Sequence, residues 1–313
     1  MLVWSPKVPA AGPWPGLDLA QTDMIVDCHT QVWDESALVR SPETVVIEPD
    51  APAETRHIEA VDTVDCAIVL GFKSNYLQTE VSNDAVAAYV RRHAAKLIGF
   101  AGIDPTDDDC IDELDRAREE LGLKGVTVSP ALQNYHPSDT RAMRFYEACA
   151  GRGMPVLFEQ NRKSAAAKLE FAKPVLLDEV AREYPDLRIV IAHLGYPWVH
   201  EAIVLLGKHT NVYADVSGLL EHPWLSYNAL LSAYEYGVMD KLLFGSDFPC
   251  QSPAEAIESL YTVNQLSIGS NLVAIPREQL RGIVECDALS LLGIDHPNAR
   301  VTRRATGILD NDD

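Results

Sequence analysis

Four side chains that can bind a divalent metal stand at the ends of four separate apolar runs in the sequence. Two are imidazoles and two are carboxylates: His29, Glu159, His193 and Asp247. Each run is short enough to be a buried strand, and Pro249 ends the last one because proline cannot continue a central strand. Mixed nitrogen and oxygen ligands suit zinc or manganese. We therefore expect one divalent ion, with zinc ahead of manganese.

A strand-end histidine alone is usually only hydrogen-bonded, and an aspartate in such a place commonly forms a turn. The prediction depends on all four residues ending strands at one edge, because parallel strands bring their carboxyl ends together. Side chains alternate along a strand, so Asp27, His29 and Gln31 are expected on one face and Cys28 on the other. Gln31 is accordingly a fifth candidate ligand.

Further candidates lie in loops that follow the predicted strands. Arg162 comes shortly after Glu159 and would meet an anionic substrate, unless it is an ordinary solvated loop charge. His136 and His222 stand in the loops after the fourth and seventh predicted strands and are candidates for substrate binding. Histidines on or beside predicted helices are expected at the surface: His57, His93, His200 and His209.

Eight apolar runs alternate with helical patterns at roughly equal spacing, which predicts an α/β protein with a single (β/α)8 TIM barrel. A doubly wound open sheet is the alternative, but no glycine-rich nucleotide-binding loop follows any run. We expect residues 24–295 to form the barrel, with an extra C-terminal helix from Pro276 to Leu292. The eight runs span residues 24–31, 66–71, 97–103, 124–128, 154–159, 187–193, 211–218 and 242–249.

The two ends of the chain differ from the barrel in composition. Residues 1–23 are rich in tryptophan and proline and predict an N-terminal arm that is too apolar to be left entirely in water. We therefore expect a homodimer or a larger homo-oligomer. Residues 296–313 are polar and predict a disordered tail.

The 313 residues carry a formal net charge of -20. Such a surface repels phosphate groups, which argues against nucleic acid or an anionic membrane as a partner. The six cysteines are scattered, as expected of reduced thiols in the cytoplasm. No apolar run reaches the roughly 18 residues that a membrane span needs. A cytoplasmic protein that acts on a small-molecule substrate is therefore expected.

Three stretches resemble the amidohydrolase-related family of metal-dependent TIM-barrel hydrolases, whose branches include aminocarboxymuconate semialdehyde and resorcylate decarboxylases. They are residues 191–198 (IAHLGYPW), 211–218 (NVYADVSG) and 243–249 (LFGSDFP), and the resemblance extends over residues 24–294. It implies that His193 binds metal or substrate, and that Asp247 binds metal and moves a proton. It also implies that His29 is the first histidine of an H-x-H pair and that the protein forms oligomers.

The sequence departs from the pattern of that family at three positions. Gln31 replaces the second histidine of the pair, Glu159 replaces a histidine after the fifth strand, and Ser129 stands where close relatives often have another histidine. An amide is a poor ligand beside imidazole, whereas a carboxylate is a good ligand that is harder and negatively charged. The resemblance therefore implies an altered metal site. A site without metal is the alternative, because lactonases of similar fold need no metal.

The predicted function is metal-dependent hydrolysis of a small carbonyl compound, a lactone or an amide. Water activated by the metal would attack, with Asp247 as general base and then general acid. One alternative is non-oxidative decarboxylation of a small unsaturated or aromatic carboxylic acid. Another is a metal-free lactonase or a non-catalytic binding barrel, for which Gln31 and Ser129 are the motivation.

Overall fold

The structure of the protein is a computed structural model that describes residues 24–33, 45–47, 51–159 and 164–296. The predicted N-terminal arm, residues 297–313 of the predicted tail and the candidate residue Arg162 lie outside the described residues.

The described residues form eleven strands, most of which are the short apolar runs of the sequence. Eight of them make one parallel sheet in the order β1-β3-β6-β7-β8-β9-β10-β11. The strands are β1 (Val26–Thr30), β2 (Val45–Ile47), β3 (Cys66–Leu70), β4 (Phe72–Ser74), β5 (Thr79–Val81), β6 (Leu97–Gly102), β7 (Gly125–Val128), β8 (Val156–Phe158), β9 (Ile189–Ile191), β10 (Val212–Asp215) and β11 (Leu242–Leu243).

The eight-stranded sheet closes on itself where its first strand meets the residues that follow its last strand. A parallel bridge joins Thr30 to Phe248 across this seam. The backbone N–H of Cys28 donates to the carbonyl of Phe244 at 2.9 Å, and that of Gln31 donates to the carbonyl of Phe248 at 2.9 Å. The predicted TIM barrel is therefore confirmed, and its seam lies beside the predicted site residues His29 and Asp247.

Helices connect the barrel strands, and among the described residues none is long and apolar enough to cross a membrane. They are α1 (Ala51–Ala60), α2 (Asn83–Arg92), α3 (Cys110–Glu119), α4 (Pro130–Gln133), α5 (Thr140–Gly151), α6 (Leu177–Glu183), α7 (Val199–Lys208), α8 (Pro223–Tyr236), α9 (Pro253–Thr262), α10 (Arg277–Val284) and α11 (Ala288–Leu292).

The single helix predicted from Pro276 to Leu292 is wrong, because two helices occupy this stretch. The first, α10, ends at Val284, and Asp287 then caps α11 by accepting a hydrogen bond from the backbone N–H of Ser290 at 3.1 Å. The break lets α11 turn beneath the barrel, where its apolar side chains meet those at the start of β1.

Alternation along the barrel strands separates an outer apolar layer, which faces the helices, from a second cluster inside the barrel. The inner cluster, here called the lower core, lies beneath the carboxyl ends of the strands and is closed by α11. It consists of Met24, Val26, Cys28, Cys66, Ile68, Leu70, Ile98, Phe100, Leu157, Val190, Ala192, Leu243, Ala288, Leu289, Leu292 and Ile294.

A small second sheet, in the order β2-β5-β4, was not predicted from the sequence. Its strands are three residues long, which is too short for a readable alternation. It is built after the carboxyl ends of β1 and β3, and the side-chain amide of Gln133 in α4 donates to the carbonyl of Lys73 in β4 at 2.7 Å. The sheet therefore stands at the same end of the barrel as the predicted site.

Candidate metal centre

Three predicted ligands from three different strand ends come together inside the barrel. His29 belongs to β1, Glu159 follows β8 directly, and His193 follows β9; all three are buried, and their ligand atoms lie within 4.8 Å of one another. His29 Nε2 is 2.8 Å from Glu159 Oε1, and His193 Nε2 is 3.6 Å from Glu159 Oε2. These three residues are called the polar triad below.

His29 reaches the triad because β1 is irregular. The pairing of β1 with β3 shifts between Asp27 and Thr30, so one extra residue is inserted in β1. Cys28 packs in the lower core with Val26, and yet the next residue, His29, also points into the barrel. The strict alternation predicted for Asp27, His29 and Gln31 therefore fails, as expected where a β-bulge redirects a side chain.

Asp215, the last residue of β10, holds the ring of His29 and the backbone of His193. Its Oδ2 accepts a hydrogen bond from His29 Nδ1 at 3.1 Å, and its Oδ1 accepts one from the backbone N–H of His193 at 3.1 Å. The Nδ1 of His193 donates to the carbonyl and hydroxyl oxygens of Ser217, at 3.0 and 2.9 Å. With a proton on each Nδ1, each Nε2 is the ring atom left to a metal, which would displace any proton bound there.

Asp215 and Ser217 belong to a stretch that carried the family resemblance, but sequence reasoning gave them no role. The hydroxyl of Ser217 donates to Asp215 Oδ1, so the two residues form one buried unit behind both histidines. A carboxylate that ends an apolar strand was the available signal, and it is the same signal that singled out Glu159.

The electrostatics of the triad favour positive charge. Burial works against a charged imidazole, but Asp215 and Glu159 outweigh it and raise the pKa of His29 well above its usual range. Burial raises the pKa of Glu159, but the two histidines lower it more strongly, so that its net shift is well downward. A field that holds a proton this firmly is also favourable to a metal cation.

Among the residues that the structure describes, three buried atoms of the triad have no hydrogen-bond partner: His29 Nε2, Glu159 Oε1 and Glu159 Oε2. The first two approach to 2.8 Å without the geometry of a hydrogen bond. Buried polar atoms without partners are costly, so a cluster of them requires a physical reason. Convergent imidazole nitrogen and carboxylate oxygen atoms form a donor set that fits a divalent metal ion.

Asp247 lies beside the triad at its solvent side. Its Oδ1 is 3.6 Å from His29 Nε2, and its side chain is 12% exposed, whereas the triad is buried. Its φ of +65° is uncommon for a residue other than glycine and is held by a hydrogen bond from its N–H to the carbonyl of His29 at 3.1 Å. The carboxylate can thus reach both the triad and an incoming molecule.

The remaining predicted metal candidate, Gln31, is buried at the seam, and Ser129 is buried at the end of β7. The structure brings His29, Glu159, His193 and Asp247 together, and Gln31 follows the bulge of β1. The backbone N–H of Ser129 donates to Gln133 Oε1 at 2.7 Å, which ties it to α4.

The two histidines predicted to bind substrate are exposed and belong to different loops. His136 lies between α4 and α5, where its Nδ1 accepts a hydrogen bond from the backbone N–H of Ser138 at 3.2 Å. His222 is the residue before α8 and caps it without a side-chain hydrogen bond. Beside His222, the carboxylate of Glu221 comes within 4.8 Å of ligand atoms of Asp247 and Cys250. Glu221 was not singled out in the sequence.

Comparison with known proteins bears on the family of the chain. A family model described as amidohydrolase matches residues 26–294. The chain belongs to the amidohydrolase family. The resemblance drawn from the three sequence stretches is thereby confirmed. A search of curated proteins finds no match to the chain.

Solved structures similar to this amidohydrolase-family chain share its barrel at low sequence identity. An uncharacterised TIM-barrel protein from Bordetella bronchiseptica is 19% identical with a TM-score of 0.66, and the match covers 88% of this chain and 99% of that one. A probable 2-pyrone-4,6-dicarboxylic acid hydrolase from Acinetobacter baumannii, solved with citric acid, is 18% identical with a TM-score of 0.62, over 86% and 99% of the two chains.

A third similar structure is a dihydroxybenzoic acid decarboxylase from a Polaromonas species, solved with manganese and the inhibitor 2-nitroresorcinol. It is 16% identical with a TM-score of 0.59, and the match covers 88% of this chain and 99% of that one. The proteins similar to this chain thus include both hydrolases and decarboxylases, and one of them contains a divalent metal.

Proposed function

We propose that the protein is a metal-dependent hydrolase of a small carbonyl compound, a lactone or an amide. The observation that carries the proposal is the polar triad, in which buried imidazole and carboxylate atoms converge without hydrogen-bond partners beside Asp247. Membership of the amidohydrolase family supports it.

In this proposal the metal is held by the Nε2 atoms of His29 and His193 and by the carboxylates of Glu159 and Asp247, with Gln31 nearby. The bound ion would lower the pKa of a water molecule and polarise the carbonyl of the substrate. Zinc is the first candidate because two imidazoles suit it. Manganese is the second, because the two carboxylates make the donor set harder than one of histidines alone.

Asp247 is the proposed proton carrier. A carboxylate at the solvent side of the site, close to His29 Nε2, can accept the proton of the attacking water on one oxygen and return it to the leaving oxygen or nitrogen. The other three ligands are buried and fixed, which leaves Asp247 as the group of the four that both solvent and substrate can approach.

Asp215 and Ser217 would keep the two histidines in a fixed orientation throughout the reaction. Asp215 accepts from His29 Nδ1 and from the backbone N–H of His193, so it fixes the ring of the first and the backbone of the second. Ser217 holds the ring of His193. Such partners behind the ligands determine ring orientation and raise the basicity of the imidazoles.

The first experiment is elemental analysis of the full chain purified without chelator, followed by a screen of lactones and amides. Roughly one zinc or manganese ion per chain and hydrolysis that is lost on chelation are expected. Asp247→Asn should keep the barrel folded and lower turnover by at least the roughly 10²-fold typical of a lost general acid or base. If the protein hydrolyses lactones at full rate without metal, it is a metal-free lactonase. If it binds no metal and has no activity, it is a non-catalytic binding barrel.

Decarboxylation of a small unsaturated or aromatic carboxylic acid is the second candidate. The similar fold of the manganese-containing dihydroxybenzoic acid decarboxylase favours it. In this case Asp247 would protonate the carbon that loses carbon dioxide, and the cationic field of the loaded site would hold the substrate carboxylate. Release of carbon dioxide from aromatic acids, without hydrolysis of any lactone or amide, would select this candidate over the first.

A further inference from the structure

The seam of the barrel carries a fully buried histidine from outside the barrel, although sequence analysis placed it at the surface. His57 lies in α1, and none of its side chain is exposed. The prediction for this residue is wrong because α1 packs directly against β1 and α2. We propose that His57 is a positioning residue that holds the seam and, through Phe248, fixes Asp247. The inference rests on the proposed proton-transfer role of Asp247.

Both ring nitrogens of His57 form hydrogen bonds to hydroxyl groups. The hydroxyl of Thr30 donates to the carbonyl of Ile68 at 2.7 Å, so it accepts from His57 Nε2 at 2.9 Å. Burial lowers the pKa of His57 to about 3, so the ring is neutral and its Nδ1 accepts. The hydroxyl of Tyr89 in α2 lies 2.8 Å from this Nδ1 and 3.2 Å from the carbonyl of Glu54 in α1. The neutral ring thus ties two outer helices to the last residue of β1.

The ring of His57 also packs edge-on against Phe248, with ring centroids 5.1 Å apart and planes at 63°. Phe248 follows Asp247 and forms the parallel bridge with Thr30 that closes the barrel. His57 therefore contacts both partners of that bridge, by a hydrogen bond on the side of β1 and by ring packing on the other side.

Asp247 needs such support because its backbone is in the left-handed region. Its φ of +65° is an uncommon conformation that persists only where the surroundings fix it. The buried Oδ1 of Asp27 accepts hydrogen bonds from the backbone N–H groups of Ser246 and His29, at 2.9 and 3.1 Å. His57 adds support through Phe248, the residue after Asp247.

The experiment compares His57→Leu, His57→Gln and His209→Leu in the full chain, loaded with metal as purified. His209 is a matched control because it is also a mostly buried histidine beside a helix, but its Nε2 lies 2.7 Å from Asp178 Oδ1, which belongs to α6 and not to the seam. Hydrogen exchange, read by mass spectrometry, reports the N–H groups of Gln31 and Asp247, both of which bond across the seam.

At temperatures equally far below each melting point, His57→Leu should speed exchange at the seam by about tenfold relative to His209→Leu, because two buried partners lose their hydrogen bonds. His57→Gln can donate and accept as the imidazole does, and should restore most of the protection. With any substrate that the screen identifies, His57→Leu should lower kcat more than it changes KM.

Equal seam exchange in His57→Leu and His209→Leu would overturn the inference. If His57→Leu does not fold, Tyr89→Phe carries the test. It removes the hydroxyl that contacts His57 Nδ1 and the carbonyl of Glu54 but keeps the ring, and it should raise seam exchange to an intermediate level. An absence of hydrolysis and decarboxylation in the parent protein would refute the proposed function, whereas the exchange comparison would still decide whether His57 holds the seam.

Discussion

The lower core and the polar triad occupy the same barrel, separated by about two residues along each strand. Leu157 and Val190 belong to the apolar cluster, and Glu159 and His193, a few residues further along, belong to the triad. Side chains of the lower core pack against one another, whereas three triad atoms have no hydrogen-bond partner. The first residues of the strands therefore stabilise the fold, and the last ones present costly polar groups that only a ligand would satisfy.

The strongest test of this comparison removes a side chain from the lower core. Phe100 is fully buried on β6, and a Cβ on its neighbour Gly125 would come within 2.5 Å of the ring, so the two residues are matched in size. Phe100→Ala should lower the free energy of unfolding by about 3–5 kcal/mol, because it leaves a cavity. Urea unfolding measures the loss. The metal content of the folded protein should not change, and a variant that lost its metal while still folded would contradict the separation of the two layers.

The second test removes a ligand from the triad. Glu159→Gln should weaken metal affinity by more than about 100-fold, since even partners behind the ligands are worth roughly 10- to 100-fold. Calorimetric titration of the chelated protein with zinc or manganese measures the change. Glu159→His is the matched variant, because it keeps a ligand atom and should retain metal. Full metal content and full rate in Glu159→Gln would remove Glu159 from the site.

A smaller effect on metal affinity is expected for Asp215, which bonds to two of the ligands but is not a ligand itself. Asp215→Asn keeps the shape of the side chain but puts an amide where one carboxylate holds His29 and His193. It should weaken metal affinity by about 10- to 100-fold, less than the loss of Glu159. The same titration compares the two variants, and an affinity lower in Asp215→Asn than in Glu159→Gln would mean that the order of ligand and support has been assigned wrongly.

Much of the barrel and of the site follows from local sequence. Apolar runs that end in a polar residue locate the strands, and their carboxyl ends meet in any parallel barrel, so His29, Glu159, His193 and Asp247 could be grouped without a structure. What is missing depends on contacts between distant segments. The shift in β1 is a matter of pairing with β3, and the burial of His57 depends on α1 packing against Thr30.

Two further misses have the same cause. The strands β2, β4 and β5 are stabilised by pairing with one another and are too short to show a period in the sequence. The helices α10 and α11 have amphipathic patterns that look continuous in the sequence. The break between them is identified only by the capping hydrogen bond of Asp287 in the structure.

The smallest expected effect is on the pH dependence of stability, to which His57 at the seam contributes and the apolar lower core does not. Burial, reinforced by the neighbouring His93, lowers the pKa of His57 to about 3, and the ring also faces the hydroxyl of Tyr89. An unfolded chain binds this proton with a pKa of about 6.5. Because the unfolded state then holds more protons, the contribution of His57 to stability is present above about pH 6.5 and falls as the pH drops towards 3.

Between pH 6.5 and 5.5 this linkage amounts to about 1 kcal/mol. The parent protein should therefore lose about 1 kcal/mol more unfolding free energy over that interval than His57→Gln, whose side chain does not titrate. Urea unfolding of both proteins at the two pH values gives the difference, in which the other titrating groups cancel. Phe100→Ala should follow the parent in its pH dependence, since an apolar cavity adds no proton. If His57→Gln keeps the full acid sensitivity of the parent, His57 takes up its proton within the folded protein, and the buried neutral ring is wrongly assigned.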